Sequence, residues 1–399
     1  MSGIAMNKIL LSITTMCVVV LLLIFLLKRL RQPYMVAYIL AGVLIGPYVG
    51  RVFVNVADTA SLGEIGILFL MFFLGMELNI PSHQTILLKP IISQGIKILL
   101  SIAFATLLGF VFDWKLYNIF LLAILFSFNS TAVISEYLQS NGDLRTPFGK
   151  MIFNILLIQD VLLAPVLTVF QCLSAEKLAL GRLLGAILIS ISIFLFLGAI
   201  RHRQLPHPKL LYVLKDDHEL QVFAGGVICL GFGLLAEMAG LSGAMGSFIA
   251  GMMVGKTPAF GWLEQVLKPF RVFFVSFFFM SIGLQLDLPF IAANLGLIMA
   301  GTFFILFSNS FLSTFVFRLL RYNWKRSLYG GALLCQTGEF GILAFSLAHS
   351  LQIIDNEFFK TGISVTALSL LFSTVWIGLL RKITNTVGES NCQNLLFMK

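Results

Sequence analysis

The chain has 399 residues, 58% of them hydrophobic and 11% charged, with a mean hydropathy of +0.97. A soluble domain carries about 25% charged residues, so a soluble globular fold is excluded, and strands of alternating polarity, as in an outer-membrane barrel, are not seen. The net charge of +9 comes from basic residues that flank apolar stretches and form no continuous basic domain, which argues against a nucleic-acid partner.

Thirteen apolar segments follow one another, at roughly 8–27, 33–52, 62–79, 89–110, 115–138, 150–171, 181–200, 217–236, 239–256, 267–285, 290–317, 326–348 and 361–380. The expected fold is therefore an all-α polytopic membrane protein of about 13 transmembrane helices. The first segment ends at Lys28-Arg29 without a small-residue cleavage pattern and reads as a retained span. The longest hydrophilic connection runs from Arg201 to His218, and no soluble domain is expected at either end. Connections after odd-numbered spans, with the start of the tail, hold eighteen lysines and arginines against six on the other side. The excess predicts an N-terminus outside and a C-terminus in the cytoplasm. The five cysteines (Cys17, Cys172, Cys229, Cys335 and Cys392) show no CxxC or metal spacing and read as small apolar side chains. No nucleotide-binding or zinc motif appears, so neither a cofactor nor an enzymatic activity is expected.

The chain repeats itself. "ILAGVLIG" at 39–46 returns as "FIAGMMVG" at 248–255, and "FFLGMELN" at 72–79 returns as "FMSIGLQLD" at 279–287, with Gly75 matching Gly283. "SFNST" at 127–131 and "CQTGE" at 335–339 lie 208 positions apart, in the same order. That offset covers seven segments, an odd number, so the second unit enters the membrane from the opposite side. Two inverted-topology repeats are predicted, about 8–171 and 217–380, joined by a linker helix at about 181–200. A membrane domain at 1–385 is followed by a short tail at 386–399.

Inverted-repeat proteins place their sites near mid-membrane, where helices are interrupted. The matched stretches "FSFNSTAVIS" and "LLCQTGEFGI" are polar clusters inside apolar spans, and such residues loosen a helix by competing for backbone bonds. Small polar residues also let helices pack closely, but their symmetric placement favours breaks at Phe128–Thr131 and Gln336–Gly338 that cross each other. Ser127, Asn129, Gln336, Thr337 and Glu339 are the polar residues expected at these breaks. Asp160, in "ILLIQDVLLAP", stands beside Gln159 near the middle of span 6. A carboxylate at that depth is costly unless it holds a cation or a proton. One side chain that binds either, never both, enforces exchange. No basic residue is expected at mid-depth to neutralise it. Glu77 is matched by Gln285 and reads as a helix-end cap. Glu64 and Glu237 read as solvated, and Glu136 as lining an access path. His83, His202, His207, His218 and His349 show no metal spacing.

With "YMVAYILAGVLIGP" (34–47), "NSTAVISEYLQ" (129–139), "LLIQDVLLAP" (156–165), "GLSGAMGSFIAGMMVG" (240–255) and "CQTGEFGILAF" (335–345) in this order, the chain resembles the membrane module of the monovalent cation:proton antiporter-2 family, and within it the glutathione-gated potassium efflux (Kef-type) branch. The resemblance covers about residues 9–382 and implies a sodium/proton antiporter-like fold of crossed discontinuous helices. It makes Asp160 the ion- and proton-carrying residue and implies that Gln159, Ser130 and Thr131 coordinate the cation. Family members carry a lysine near 309–311, where this chain reads Asn309-Ser310-Phe311. The Kef branch continues into a cytoplasmic nucleotide-binding regulatory domain, and this sequence stops at Lys399 without one.

The expected activity is exchange of a monovalent cation, K⁺ ahead of Na⁺, for H⁺ across the inner membrane by alternating access. The expected partners are the two ions, membrane lipid, a second copy in a homodimer, and a separate soluble regulatory subunit. The rival readings are a gated potassium channel-like module and a non-transporting membrane scaffold.

Overall fold

The computed structural model describes residues 2–29, 32, 34–52, 56–77, 84–174, 217–238, 243–256 and 260–384. Among these the fold is entirely helical: α1 Ser2–Arg29, α2 Tyr34–Ile45, α3 Val56–Glu77, α4 Gln84–Val111, α5 Leu116–Ser127, α6 Thr131–Ser140, α7 Pro147–Ser174, α8 His218–Met238, α9 Gly243–Lys256, α10 Gly261–Gln285, α11 Leu288–Ala293, α12 Leu295–Leu319, α13 Trp324–Leu333, α14 Glu339–Ser350 and α15 Asn356–Thr384. Six of them are long and apolar enough to cross a membrane. Their outward faces carry Leu21, Leu22 and Phe25 of α1, Phe110 of α4 and Phe223 and Val227 of α8, as expected where lipid replaces water. Twelve of the thirteen expected spans are present. The linker segment 181–200 and the tail 386–399 lie outside the described residues.

The helices fall into two bodies. In the first, α1 packs on α2, α2 on α10, α10 and α9 both on α3, and α9 on α8. In the second, α4 packs on α5 and α7, α12 on α13 and α15, and α14 on α15. Exchanging the matched segments maps α1·α2 onto α8·α9, α2·α10 onto α9·α3 and α4·α7 onto α12·α15.

The glycines of the repeated motifs show why the first body closes in this way. A Cβ on Gly42 would collide with the Met280 carbonyl and Gly283, and one on Gly75 would collide with the Phe248 carbonyl and Gly251. Gly42 and Gly251 are matched in the sequence, as are Gly75 and Gly283. The two contacts are therefore copies of each other under a twofold exchange of repeats. Hydrophobic side chains from both bodies meet along the seam, with Ile39, Leu70, Phe248 and Phe278 in one cluster with Phe126, Phe128, Phe340 and Ile363.

Polar links also join the bodies. Asp287, the N-cap of α11, lies at the joint after α10. It accepts from the Phe290 amide (3.0 Å), pairs with Lys360 of α15 (2.6 Å) and is hydrogen-bonded to Tyr48, which follows α2. Toward the other face, the Thr374 hydroxyl of α15 donates to Gln32 Oε1 (2.6 Å), between α1 and α2. Within the second body, Asp143 in the turn between α6 and α7 accepts from the Tyr329 hydroxyl (2.6 Å) and pairs with Arg381 (3.2 Å), which also bonds Asn141. These bonds fasten the turn after α6 and the middle of α13 to the C-terminal end of α15.

Candidate functional site: the crossing of two interrupted helices

Helix α5 stops at Ser127 because Phe128 turns extended (φ −117°, ψ 133°), and the helix resumes as α6 at Thr131. Its partner stops at Leu333 and resumes as α14 at Glu339, after an extended Gly338 (φ −80°, ψ 177°). Both breaks fall where the sequence places them, with small corrections. Thr131 is already helical, because Ser130 caps α6 by accepting the Val133 amide at 3.3 Å. Leu334 and Cys335 join the second break.

The two breaks touch. The Gly338 amide donates to the Phe128 carbonyl at 3.4 Å, and a Cβ on Gly338 would meet the Asn129 backbone. Only glycine allows that approach. Each break presents one helix C-terminus and one N-terminus to the same point, so two partial negative and two partial positive ends converge there.

Interrupting a helix in an apolar environment strands backbone groups, and here side chains take them up. Gln94 Nε2 of α4 donates to the Ser127 carbonyl at 3.0 Å, at the end of α5. Asn129 Nδ2 donates to the carbonyls of Leu334 (3.1 Å) and Gln336 (2.6 Å), at the end of α13. The Asn129 amide donates to Gln159 Oε1 at 2.9 Å, and Gln159 Nε2 donates to Gln94 Oε1 (2.9 Å) and Asn129 Oδ1 (3.3 Å). The Thr337 hydroxyl is 3.0 Å from Ser369 Oγ of α15. Asn129, Ser130, Gln159, Gln336 and Thr337 are all 0% exposed, so the network is enclosed on every side. Gln336 Nε2 and Asn309 Oδ1 are buried without a hydrogen-bond partner among the described residues.

The structure thus brings together Ser127, Asn129, Ser130, Gln159, Gln336 and Thr337, with Thr131 on the first turn of α6. Asp160 directly follows Gln159 in α7, and Glu339 opens α14, but the side chains of both lie outside the described residues, as do those of Glu64, Glu77 and Glu136. Ser130 caps α6, and its hydroxyl also reaches Met35 Sδ at 4.0 Å, touching the first body. Glu237 is exposed, as expected.

One expectation is overturned. A basic residue does reach the crossing: Lys97 of α4 is 2% exposed, and its Nζ donates to Asn129 Oδ1. Ser93, Gln94, Lys97 and Ser101 form a buried stripe at helical spacing along α4, aimed at the break. Near 309–311, where the resemblance implies a lysine, Asn309 of α12 donates instead to the Leu125 carbonyl at 3.4 Å. "ISQGIKILLS" at 92–101 held the clue, an ionisable residue within an apolar run, which is the same signal that marked Asp160.

A two-body bundle with a polar centre at crossed, interrupted helices is the architecture of a secondary active transporter. The chain matches the family described as sodium/hydrogen exchanger, transmembrane, over residues 16–382, and it belongs to that family of alternating-access monovalent cation/proton antiporters. It is 29% identical to the iron transporter MagA of Paramagnetospirillum magneticum, over 89% of this chain and 82% of that one. It is 26% identical to a glutathione-regulated potassium-efflux system protein of Haemophilus influenzae and also 26% identical to K(+) efflux antiporter 5 of Arabidopsis thaliana. Those matches cover 93% and 86% of this chain but only 60% and 61% of the relatives' own lengths. The fold is similar to that of the sodium proton antiporter MjNhaP1 from Methanocaldococcus jannaschii, with a TM-score of 0.65 at 15% identity, covering 94% of this chain and 99% of that one.

Proposed function

We propose that the protein exchanges K⁺ for H⁺ across the inner membrane, with Asp160 carrying either ion in turn and Gln159, Ser130 and Thr131 completing the cation's place. The observation that carries this reading is the Gln159–Asn129 network. It fixes the residue before Asp160 against the point where both interrupted helices end. The donors there are amide and backbone oxygens beside a single carboxylate position, a hard oxygen set suited to an alkali cation. Two potassium-efflux relatives support K⁺ over Na⁺. The second body moves against the first, which also supplies the homodimer contact. The N-terminus faces outside and the C-terminus the cytoplasm, where a separate regulatory subunit would act.

The test is proton flux in reconstituted vesicles under gradients of K⁺, Na⁺, Rb⁺ or Li⁺. Saturable cation-driven proton movement, with K⁺ giving the lowest KM, is the expected result. Cation conduction without proton counter-transport would replace the antiporter with a channel. Ferrous iron belongs in the same series, because an iron transporter is among the relatives.

A further inference from the structure

Placing a lysine 2% exposed in the middle of a membrane bundle is costly unless acceptors receive it, and such residues mark ion pathways. Among the described residues, the Lys97 ammonium is hydrogen-bonded at the crossing by Asn129 Oδ1. Around it lie Gln94, which holds the end of α5, and Gln159, which is bonded to both Gln94 and Asn129. Asp160 is the residue after Gln159 along α7. The ammonium therefore stands where the negative ends of α5 and α13 converge, which is also where a cation is best stabilised.

We propose that the Lys97 ammonium is a tethered occupant of the cation's place at the crossing and competes with the transported ion for it. The proposal builds on the exchange reading for the identity of that ion. An ammonium and a K⁺ ion carry the same charge and seek the same oxygen donors, and both lone pairs of Asn129 Oδ1 are already taken, by Lys97 and by Gln159 Nε2. Loading the site therefore requires Lys97 to withdraw. The apparent cation affinity is reduced by the fraction of time the ammonium is seated. Lys97 is in this sense a residue that sets affinity, over and above any part it plays in orienting the Asn129 amide.

A role confined to orienting Asn129 would be met equally well by glutamine, whose Nε2 is also a donor. The two roles separate in the K⁺ concentration that half-maximally stabilises the detergent-purified protein against heat, with choline chloride holding ionic strength constant. The expected result is that Lys97→Gln lowers this midpoint about tenfold, as when an occupant seated about nine-tenths of the time is removed. Lys97→Arg keeps a charge that does not dissociate on a wider head, and should raise the midpoint or abolish the response. A Lys97→Gln midpoint within about twofold of the unmodified protein would overturn the proposal. If that variant does not fold, an unchanged midpoint in Lys97→Arg would overturn it equally. Vesicles of unmodified protein that show no coupled K⁺/H⁺ exchange, while the Lys97→Gln midpoint still falls, would remove the exchange reading and leave the tethered occupant standing.

Discussion

Asn129 and Gln336 stand in the matched breaks of the two halves of the chain, and the side chain of the first donates to the backbone carbonyl of the second at 2.6 Å. The same amide group also takes the Leu334 carbonyl, so one residue satisfies two carbonyls left open by the end of α13. Asn129→Ala would strand both in an enclosed, apolar setting, and each unsatisfied group costs about 1–3 kcal/mol. We expect a lower melting temperature in detergent and loss of exchange together. Unchanged melting would show that water or another side chain takes over these carbonyls.

Asp160→Asn is expected to abolish exchange while the protein stays folded. The amide keeps the size of the side chain but neither releases a proton nor offers a cation a full counter-charge. Gln159→Asp should retain part of the transport and shift preference toward Na⁺, since a second charge favours the more strongly hydrated ion. Proton flux in vesicles, beside a melting curve for each variant, reads both effects. Unmodified rates in Asp160→Asn would remove the residue from its role.

Competition between ion and proton at one carboxylate dictates the form of the pH dependence. At low pH the cation cannot load, and at high pH no proton returns, so the rate should trace a bell. Raising K⁺ should move the acidic limb to lower pH, because the coupling is reciprocal. Apparent KM for K⁺, measured from about pH 5.5 to 9, should rise steeply on the acidic side. A flat KM with a falling maximal rate would place the decisive proton elsewhere.

The Asp287 cluster gives a separate prediction about stability. Its bond from Lys360, reinforced by those from the Phe290 amide and Tyr48, holds the Asp287 carboxyl below the usual carboxylate range. A depressed folded value means that the stabilisation is complete above the unfolded pKa and disappears as pH falls through the folded one. The side chains of Lys360 and Asp287 are 31% and 15% exposed, so the contribution is at most about 1 kcal/mol. Asp287→Asn should melt slightly below the unmodified protein at neutral pH, and the difference should close in acid. A difference that persists below the folded value would show that capping of α11, not the charge, is what the residue supplies.

Much of this architecture was legible because it is periodic or repeated. Apolar length revealed the spans, and the 208-residue offset revealed which of them are matched. The polar clusters at 127–131 and 335–339 revealed both breaks to within two residues. Lys97 escaped because it stands alone, with Ile305 at the 208-residue offset, so the repeat that drew attention to the other polar residues was silent there. The pairs Asp287–Lys360 and Asp143–Arg381 join residues from distant parts of the chain, and no local spacing reports such a contact. Ser130, implied by resemblance to be a cation ligand, also caps α6, a role that its position before Thr131 already allowed.

The glycine contacts of the first body also bear on how the protein is made. Gly42 closes against Gly283, and Gly75 against Gly251, so neither repeat supplies its own packing partner. While the ribosome is still synthesising the second half, α2 and α3 wait in the bilayer with bare, small-residue faces, and the scaffold locks only when α9 and α10 arrive. Contacts so distant in sequence form late, and chains that wait for them are exposed to mispairing. A first half expressed alone should be a target for membrane quality control, and supplying the second half as a separate polypeptide should rescue it.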